Sequence, residues 1–155
     1  MRRSDREIKD RAQIIQVMEK CDVCRLALHD EGYPYILPLN FGLKADDGQI
    51  VLYFHGASEG KKYELMEKDN RAAFEMDCSH ELVLTEGRDG CSCTMKYESV
   101  VGRGRLWQVL EEEKCEALRA LMGHYHKEEY PFSQTAMART KVFKLVVEQV
   151  TGKVR

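Results

Sequence analysis

Short apolar stretches separated by turn residues make up most of the chain. Their length and their content of β-branched and aromatic residues predict six strands, at residues 24–29, 34–43, 49–55, 71–77, 94–110 and 141–150. The turns at 30–32 and 46–48 combine Asp or Glu with Gly, which is typical of antiparallel hairpins. Residues 78–93 show no regular period and are predicted to form a loop or an irregular hairpin.

Three segments show the helical period instead: residues 5–20, 58–67 and 111–123. Ser4 and Glu7 match a capping box, which places the first helix start there. Apolar side chains then recur on one helical face, at Ile8, Ala12, Ile15 and Met18. Ser58 is the predicted cap of the second helix, and Gly123 is the predicted end of the third.

Strands in hairpin order, with helices at the ends and crossovers, predict one domain over residues 1–155. We expect it to be mostly β with flanking helices, built as a six-stranded antiparallel barrel. Pro38 lies inside a predicted strand and has no amide hydrogen for the ladder, so that strand is expected at a sheet edge or to be locally irregular. Side chains fill a barrel of this size, so a ligand is expected outside it, at a split or between subunits.

Composition excludes two classes of partner. The chain has 155 residues, with 24 Lys and Arg against 26 Asp and Glu, and its formal net charge of −2 gives no basic surplus for nucleic acid. No apolar run approaches the roughly 18–20 residues needed to cross a bilayer, so no membrane partner is expected. The start MRRSDREIKD lacks the apolar segment of a signal peptide, and a cytoplasmic location is expected.

Six cysteines in a chain without an export signal are expected to be free thiols. Cys21 and Cys24 form a CxxC pair, and Cys91 and Cys93 form a CxC pair, so a four-thiolate zinc site is an alternative. The first pair runs directly into the strand-like RLAL, and the second has the wrong spacing for a zinc ribbon. No metal site is therefore predicted.

The stretch FHGASEGKK, residues 54–62, ends the most apolar strand with an imidazole, small residues and two lysines. Gly56 and Gly60 allow close approach of a ligand, and the helix start that follows supplies free amides and partial positive charge. Lys61 and Lys62 are unfavourable at a helix N-terminus unless an anion is present. A solvated basic turn is the alternative, and a phosphate site is the favoured interpretation.

Four segments together resemble the nitroimidazole-resistance branch of the pyridoxamine 5′-phosphate oxidase-like flavoproteins. They are PYILPLNF (34–41), FHGASEGKK (54–62), YESVVGRG (97–104) and the closing KVFKL with VTGK (141–145 and 150–153). Their order and spacing cover nearly the whole chain. The resemblance implies an FMN-binding split β-barrel that forms a homodimer, with the flavin at the subunit interface.

The resemblance also implies which residues bind the flavin. The ring would be lined by Pro38, Leu39, Asn40 and Phe41. The ribityl chain and phosphate would be held by His55, Ala57, Ser58, Gly60, Lys61 and Lys62. The neighbouring subunit would contribute Ser99, Val101 and Gly102.

The implied function is that of an FMN-dependent oxidoreductase. It would carry hydride or electrons from a reduced pyridine nucleotide, NADH or NADPH, to a small electron-poor acceptor such as a nitroaromatic. No GxGxxG follows a strand, so the pyridine nucleotide is expected only as a transient partner. His55 is the candidate catalytic residue, as a proton donor or a group that positions the substrate. Its alternative role is a structural hydrogen bond to a nearby carbonyl.

Other functional classes stay open from the sequence. One is a flavin- or haem-binding protein without turnover, serving as a redox sensor or store, and another is a metal-binding interaction module built on the cysteines. Haem or a deazaflavin, which related split barrels bind, is not excluded by these motifs. The substrate-binding tail of the oxidase itself is not recognisable before the VTGKVR end, so vitamin B6 oxidation is not expected.

Overall fold

Eight antiparallel strands form one sheet in the computed structural model, which describes residues 3–46, 48–84, 93–128 and 131–155. In chain order the strands are β1 (Glu7–Ile8), β2 (Cys24–Asp30), β3 (Tyr33–Leu39), β4 (Gly42–Asp46), β5 (Gln49–Gly56), β6 (Arg71–Val83), β7 (Thr94–Gln108) and β8 (Lys141–Val154). The helices are α1 (Arg11–Lys20), α2 (Lys61–Lys68), α3 (Glu111–Tyr125) and α4 (Gln134–Arg139), preceded by a 3₁₀ turn at Ser4–Arg6.

The strand order is β3-β2-β6-β7-β8-β5-β4, with β1 paired to the end of β8. The two edge strands, β3 and β4, are consecutive in the chain and are joined only through Asn40 and Phe41. The sheet is therefore an open barrel whose split lies between β3 and β4. The predicted class, a mostly β split barrel with flanking helices, is confirmed, and Pro38 lies on an edge strand as predicted.

The number of strands differs from the six predicted, for two reasons. Residues 34–43 form two strands because the chain leaves the ladder at Asn40 and Phe41. The two-residue β1 adds a pair at the end of β8, where Ile8 lies opposite Gly152. In addition, β6 continues to Val83, which lies opposite Thr94 of β7, through a register shift between Cys78 and Glu81. Of the two forms predicted for residues 78–93, a loop or an irregular hairpin, residues 78–83 therefore fit the irregular hairpin. Residues 85–92 and Asp47 lie outside the described residues.

The helix boundaries correct three predictions. The first helix begins at Arg11, not near residue 5, and its cap is Asp10, whose Oδ1 accepts a 3.0 Å hydrogen bond from the amide of Ala12. The predicted capping box does not form because Glu7 is drawn into β1. The second helix begins after Gly60, and Ser58 does not cap it. The third continues past Gly123 to Tyr125, and α4 was not predicted.

Apolar side chains fill the barrel interior. Phe54 of β5 and Phe143 of β8 stack with ring centroids 5.2 Å apart, and Val17 and Met18 of α1 pack against the same core. Along β7 the interior positions alternate with outward ones, so Val100 is fully buried and Val101 is half exposed. Because side chains fill the interior, the outer face of the sheet is the surface on which a ligand or a second subunit can lie.

In the part of the chain that the structure describes, no helix is long and apolar enough to cross a membrane.

Candidate functional site

The connection from β5 to α2 is shaped by glycine. Gly60 precedes the first residue of α2 with φ of +137°, a conformation that other residues rarely adopt, and no side chain caps the helix. The amides of Lys61 and Lys62 belong to the first turn, which has no acceptors within the helix. The turn therefore presents amide donors and two ammonium groups at one helix end.

Lys62, Tyr63 and Gly56 together form a cradle, which we define by these three residues. A Cβ atom placed on Gly56 would lie 2.9 Å from Nζ of Lys62 and 3.2 Å from the phenol oxygen of Tyr63. The ammonium of Lys62 also lies 4.5 Å from the ring centroid of Tyr63. The ends of the Lys62 and Tyr63 side chains therefore lie directly against the backbone of Gly56, so backbone, ammonium and phenol are close together at one point.

Tyr63 carries the clearest sign of a missing partner. Its side chain is 6% exposed, and within the described ranges its hydroxyl is the one buried side-chain polar atom without a hydrogen bond. Burial raises the pKa of this phenol, so the group stays a neutral donor at physiological pH. A buried hydroxyl without a partner costs roughly 1–3 kcal/mol, which a bound acceptor would recover.

Lys61 is engaged differently from its neighbour. Its Nζ lies 2.5 Å from a carboxylate oxygen of Asp30 at the end of β2, and 5.3 Å from the ring centroid of Tyr35. The hydrogen bond from Lys61 holds the pKa of Asp30 below its usual range, and Asp30 in turn raises the pKa of Lys61. The ion pair fixes the start of α2 against the β2–β3 hairpin.

His55 is the last side chain before Gly56 and is exposed, on the face of β5 opposite Phe54. Its backbone pairs with Val142 of β8. No hydrogen bond to its imidazole occurs within the described parts of the chain. The alternative role of His55, a structural hydrogen bond to a nearby carbonyl, is therefore not seen. Ala57 and Ser58 follow in the exposed turn. The structure thus brings together the predicted residues of the β5–α2 turn at one end of the barrel.

The β3–β4 connection is held by α3. The hydroxyl of Tyr125 accepts a 3.0 Å hydrogen bond from the amide of Phe41 and donates one of 2.8 Å to the carbonyl of Asp22. The ring of Phe41 is fully buried, 4.2 Å from the ring centroid of His124. Asn40 is exposed, and its amide nitrogen donates to the carbonyl of Asp22 at 3.4 Å. Of the predicted ring-lining residues, Pro38 and Asn40 are thus exposed and Leu39 is half-buried. Phe41 can face a ligand only through its main chain.

The three residues predicted to serve a neighbouring subunit lie on β7. Ser99 and Val101 point to the outer face, with Val101 50% exposed. Gly102 points inward, where a Cβ atom would lie 2.4 Å from the ring of Phe74. Gly102 can therefore contact a ligand only through its main chain.

Pro38 and Val101 lie in one cross-strand row of the same outer face. Pro38 is opposite Arg25, Arg25 is opposite Glu75, and Glu75 is opposite Val101. Three strand spacings of roughly 4.8 Å separate the two ends of this row by about 14 Å. Within one chain, a ligand edge resting on Pro38 is therefore distant from Val101.

Sequence reasoning missed one residue of the cradle, Tyr63, and one residue beside it, Lys141. Tyr63 follows directly after the two predicted lysines, but the sequence pattern shows it only as a buried position of a helix and gives no sign that its hydroxyl lacks a partner. Lys141, whose Nζ lies 4.0 Å from the ring centroid of Tyr63, comes from the start of β8. Only the pairing of Gly56 with Lys141 in the β5–β8 ladder brings it close.

The cysteines of the CxxC pair are buried. The thiol of Cys21 donates to the carbonyl of Val17 at 3.2 Å, and burial raises the pKa of both Cys21 and Cys24 well above the usual range. Among the described residues no group of three or more His, Cys, Asp or Glu side chains is placed to hold a metal ion. Cys91 lies outside these residues.

Comparison with known proteins identifies the relatives of the chain. The family model described as pyridoxamine 5′-phosphate oxidase matches residues 10–154. A proposed 5-nitroimidazole antibiotic resistance protein from Bacteroides thetaiotaomicron VPI-5482 is 35% identical in sequence, with 96% of this chain and 86% of that one covered and a TM-score of 0.82. A comparison with curated proteins gives no match.

More distant solved structures share the fold. The flavocytochrome Anf3 from Azotobacter vinelandii is 20% identical, with 100% of this chain and 72% of that one covered and a TM-score of 0.79. The FAD and heme binding protein from Mycobacterium smegmatis is 18% identical, with 96% and 73% covered and a TM-score of 0.81. At these identities the likeness concerns the fold.

Proposed function

We propose that this chain is an FMN-dependent oxidoreductase. The ground is that the chain belongs to the pyridoxamine 5′-phosphate oxidase-like family. It would act as a homodimer, with the flavin at the subunit interface. Bound FMN would supply the transfer of hydride or electrons from NADH or NADPH to a small electron-poor acceptor, such as a nitroimidazole or another nitroaromatic. The observation that carries the proposal is the cradle with its unpartnered phenol.

The cradle fits the phosphate of a mononucleotide. A phosphate carries roughly −1.5 to −2 charges at neutral pH and accepts several hydrogen bonds. Lys62 supplies the charge and the hydroxyl of Tyr63 supplies a buried donor, and both lie beside the backbone of Gly56. The first amides of α2 add donors and a favourable helix dipole. Lys61 would add charge while staying close to Asp30.

The outer face favours two copies of the chain around each flavin. Pro38 and Asn40 at the split would orient the ring of the cofactor, and Ser99 and Val101 would approach the same ring from the partner. Their separation within one chain, about 14 Å along the cross-strand row, is too large for one small ring edge to contact both ends. A twofold arrangement of two chains resolves this, because each site then takes one group from each copy.

His55 is the group we assign to proton transfer or substrate positioning. Its side chain is exposed at the end of β5, directly before Gly56 of the cradle. An imidazole nitrogen can donate a hydrogen bond or a proton, which suits an acceptor that takes up protons with electrons. The nitro compound as acceptor is supported by the 35% identical relative from Bacteroides thetaiotaomicron.

The experiment compares the wild-type protein with a Lys61→Gln/Lys62→Gln double variant. We expect the purified wild type to be yellow, to release FMN on denaturation and to elute as a dimer, and the double variant to lose most of the flavin. Lys44→Gln, which removes an exposed lysine paired to Glu116, serves as the control. Equal flavin retention in the double variant and the wild type would contradict the site.

Turnover is tested separately from binding. NADH or NADPH should bleach the flavin absorbance anaerobically, and a 5-nitroimidazole should restore it. His55→Ala should retain the flavin and lose turnover, whereas unchanged turnover would remove His55 from the mechanism. Bound flavin that neither pyridine nucleotide reduces would indicate a sensor or store without turnover.

A further inference from the structure

The sequence pairs Cys21 with Cys24 as a CxxC, but the structure places Cys21 beside a different thiol. The thiols of Cys21 and Cys78 both donate to the carbonyl oxygen of Val17, at 3.2 and 4.0 Å. Burial, followed by the neighbouring thiol of Cys78, raises the pKa of Cys21. Among the described residues, the thiol of Cys24 takes no part in these hydrogen bonds. Cys21 and Cys78 are therefore neighbours in the fold, and we call them the thiol pair.

The carbonyl of Val17 receives these donors because it lies in the last turn of α1. In a continued helix the amide of Cys21, four residues on, would donate to it, but that amide donates to the carbonyl of Met18 instead, at 3.2 Å. The thiol protons take the place of that amide at a buried residue. Oxidation of the thiol pair to a disulfide removes both protons, so this carbonyl loses both thiol donors.

Cys78 is the more accessible member of the pair and lies in an irregular part of β6. Its side chain is half-buried, whereas that of its partner is buried. The next residue, Ser79, has φ of +58°, which is uncommon for a residue other than glycine. The register of β6 against β7 also shifts between Cys78 and Glu81. The thiol of Cys78 donates to Oε2 of Glu98 at 3.8 Å, and Lys20 donates to the same oxygen at 2.8 Å. A small oxidant can therefore reach Cys78, and a carboxylate is in place to accept its proton.

We propose that hydrogen peroxide oxidises the thiol pair reversibly to a disulfide, and that the pair is a redox switch at the end of α1. The oxygen–oxygen bond of the peroxide breaks as the sulfur of Cys78 takes one oxygen, which gives a sulfenic acid and water. The thiol of Cys21 then attacks that sulfur. The sulfur–sulfur bond forms, and the hydroxyl leaves with the Cys21 proton as a second water. Hydrogen peroxide gains the two electrons that the thiols lose, and a dithiol reductant reverses the reaction.

The end of α1 also holds the connection between β3 and β4. The carbonyl of Asp22, the residue after Cys21, accepts a 2.8 Å hydrogen bond from the hydroxyl of Tyr125. The same hydroxyl accepts a hydrogen bond from the amide of Phe41. Loss of the thiol donors to Val17 loosens this end of α1 and, through Asp22 and Tyr125, the β3–β4 connection. The switch acts on the segment that the proposed function assigns to the flavin ring, but it requires no flavin.

Peptide mass spectrometry tests the disulfide. The reduced full-length protein is treated with hydrogen peroxide, its remaining thiols are blocked with N-ethylmaleimide, and it is digested with trypsin without reduction. Trypsin releases Cys21 and Cys24 in CDVCR, and Cys78 in AAFEMDCSHELVLTEGR. We expect these two peptides to be linked, with one maleimide on Cys24, and to separate in dithiothreitol. Absence of the linked peptides, or a bond between Cys21 and Cys24, overturns the inference.

Matched variants and hydrogen exchange test the partner and the switch. Cys24→Ala should keep the linked peptides and Cys78→Ser should lose them, whereas loss of the link in Cys24→Ala overturns the pairing. Hydrogen exchange at the amide of Phe41 should become severalfold faster when the wild type is oxidised. Peroxide should leave it unchanged in Cys78→Ser, and Cys93→Ser, which removes an exposed thiol, should behave like the wild type. Exchange that does not accelerate in the wild type, or accelerates equally in Cys78→Ser, overturns the switch.

Discussion

Lys61 and Asp30 form an ion pair of 2.5 Å between the start of α2 and the end of β2, whereas Lys62 projects beside Gly56 toward the phenol of Tyr63. The two adjacent lysines therefore have different roles, although they look equivalent in the sequence. Lys62 is the ammonium that faces the cradle. Lys61 is chiefly a tether that fixes the helix start, because its charge is already balanced by a carboxylate.

This difference predicts unequal effects on flavin binding. Lys62→Gln should raise the Kd for FMN roughly 10- to 100-fold, because a charge-assisted hydrogen bond of about 1.5–3 kcal/mol is lost. Lys61→Gln should raise it less than tenfold. Flavin fluorescence titration of the apoproteins measures both. Larger loss in Lys61→Gln than in Lys62→Gln would show that the assignment of the two lysines is wrong.

Tyr63→Phe should act in opposite directions on the empty and the loaded protein. Without flavin, removal of the unpartnered hydroxyl should leave the free energy of unfolding unchanged or raise it by up to about 1 kcal/mol. With flavin, the same change should weaken FMN binding several-fold. Tyr53→Phe is the matched control, since the hydroxyl of Tyr53 donates to Glu113 at 3.0 Å and its removal should destabilise the empty protein. Urea unfolding with and without FMN distinguishes these outcomes.

Tyr125→Phe should loosen the β3–β4 connection. The variant removes the acceptor of the Phe41 amide and, among the described residues, leaves the carbonyl of Asp22 with only the 3.4 Å hydrogen bond from Asn40. We expect a loss of roughly 1–3 kcal/mol in the free energy of unfolding and faster hydrogen exchange at the amide of Phe41. Tyr33→Phe, whose ring is 83% exposed, should change neither. Wild-type exchange at Phe41 in Tyr125→Phe would contradict this role.

Alkaline pH should destabilise the fold through Tyr53. Burial, and the hydrogen bond to Glu113, raise the pKa of Tyr53 to about 12 in the folded state, against roughly 10 when unfolded. The folded state keeps its proton longer, so the stabilisation is complete below pH 10 and is lost as pH rises from 10 to 12. The loss attributable to Tyr53 is about 1–3 kcal/mol.

Urea unfolding of Tyr53→Phe and the wild type at several pH values checks this. The free energy of unfolding should fall less steeply between pH 10 and 12 in Tyr53→Phe. Burial also raises the pKa of Tyr63, Cys21 and Cys24. The variant should therefore retain part of the alkaline dependence, and an unchanged slope would show that Tyr53 does not contribute.

Much of the fold follows from local pattern. Pro38 cannot donate to a ladder, so its strand had to be an edge or irregular, and it is the edge beside the split. Gly102 and Gly104 lie within the predicted strand 94–110, and the register of β7 against β8 shifts between Arg103 and Gly104. The start of the first helix was wrong because a local capping box competes with pairing to β8, which the local sequence does not reveal.

The sequence by itself determined the strand pattern, the edge position of Pro38 and the concentration of glycine and lysine around the start of α2. These depend on backbone geometry and charge within a few residues. Only the tertiary structure decided that Lys61 meets Asp30, that Tyr125 holds Phe41 across 84 positions, and that Lys141 lies over the ring of Tyr63. Such contacts depend on strand register and helix packing, because those bring distant parts of the chain within hydrogen-bond reach.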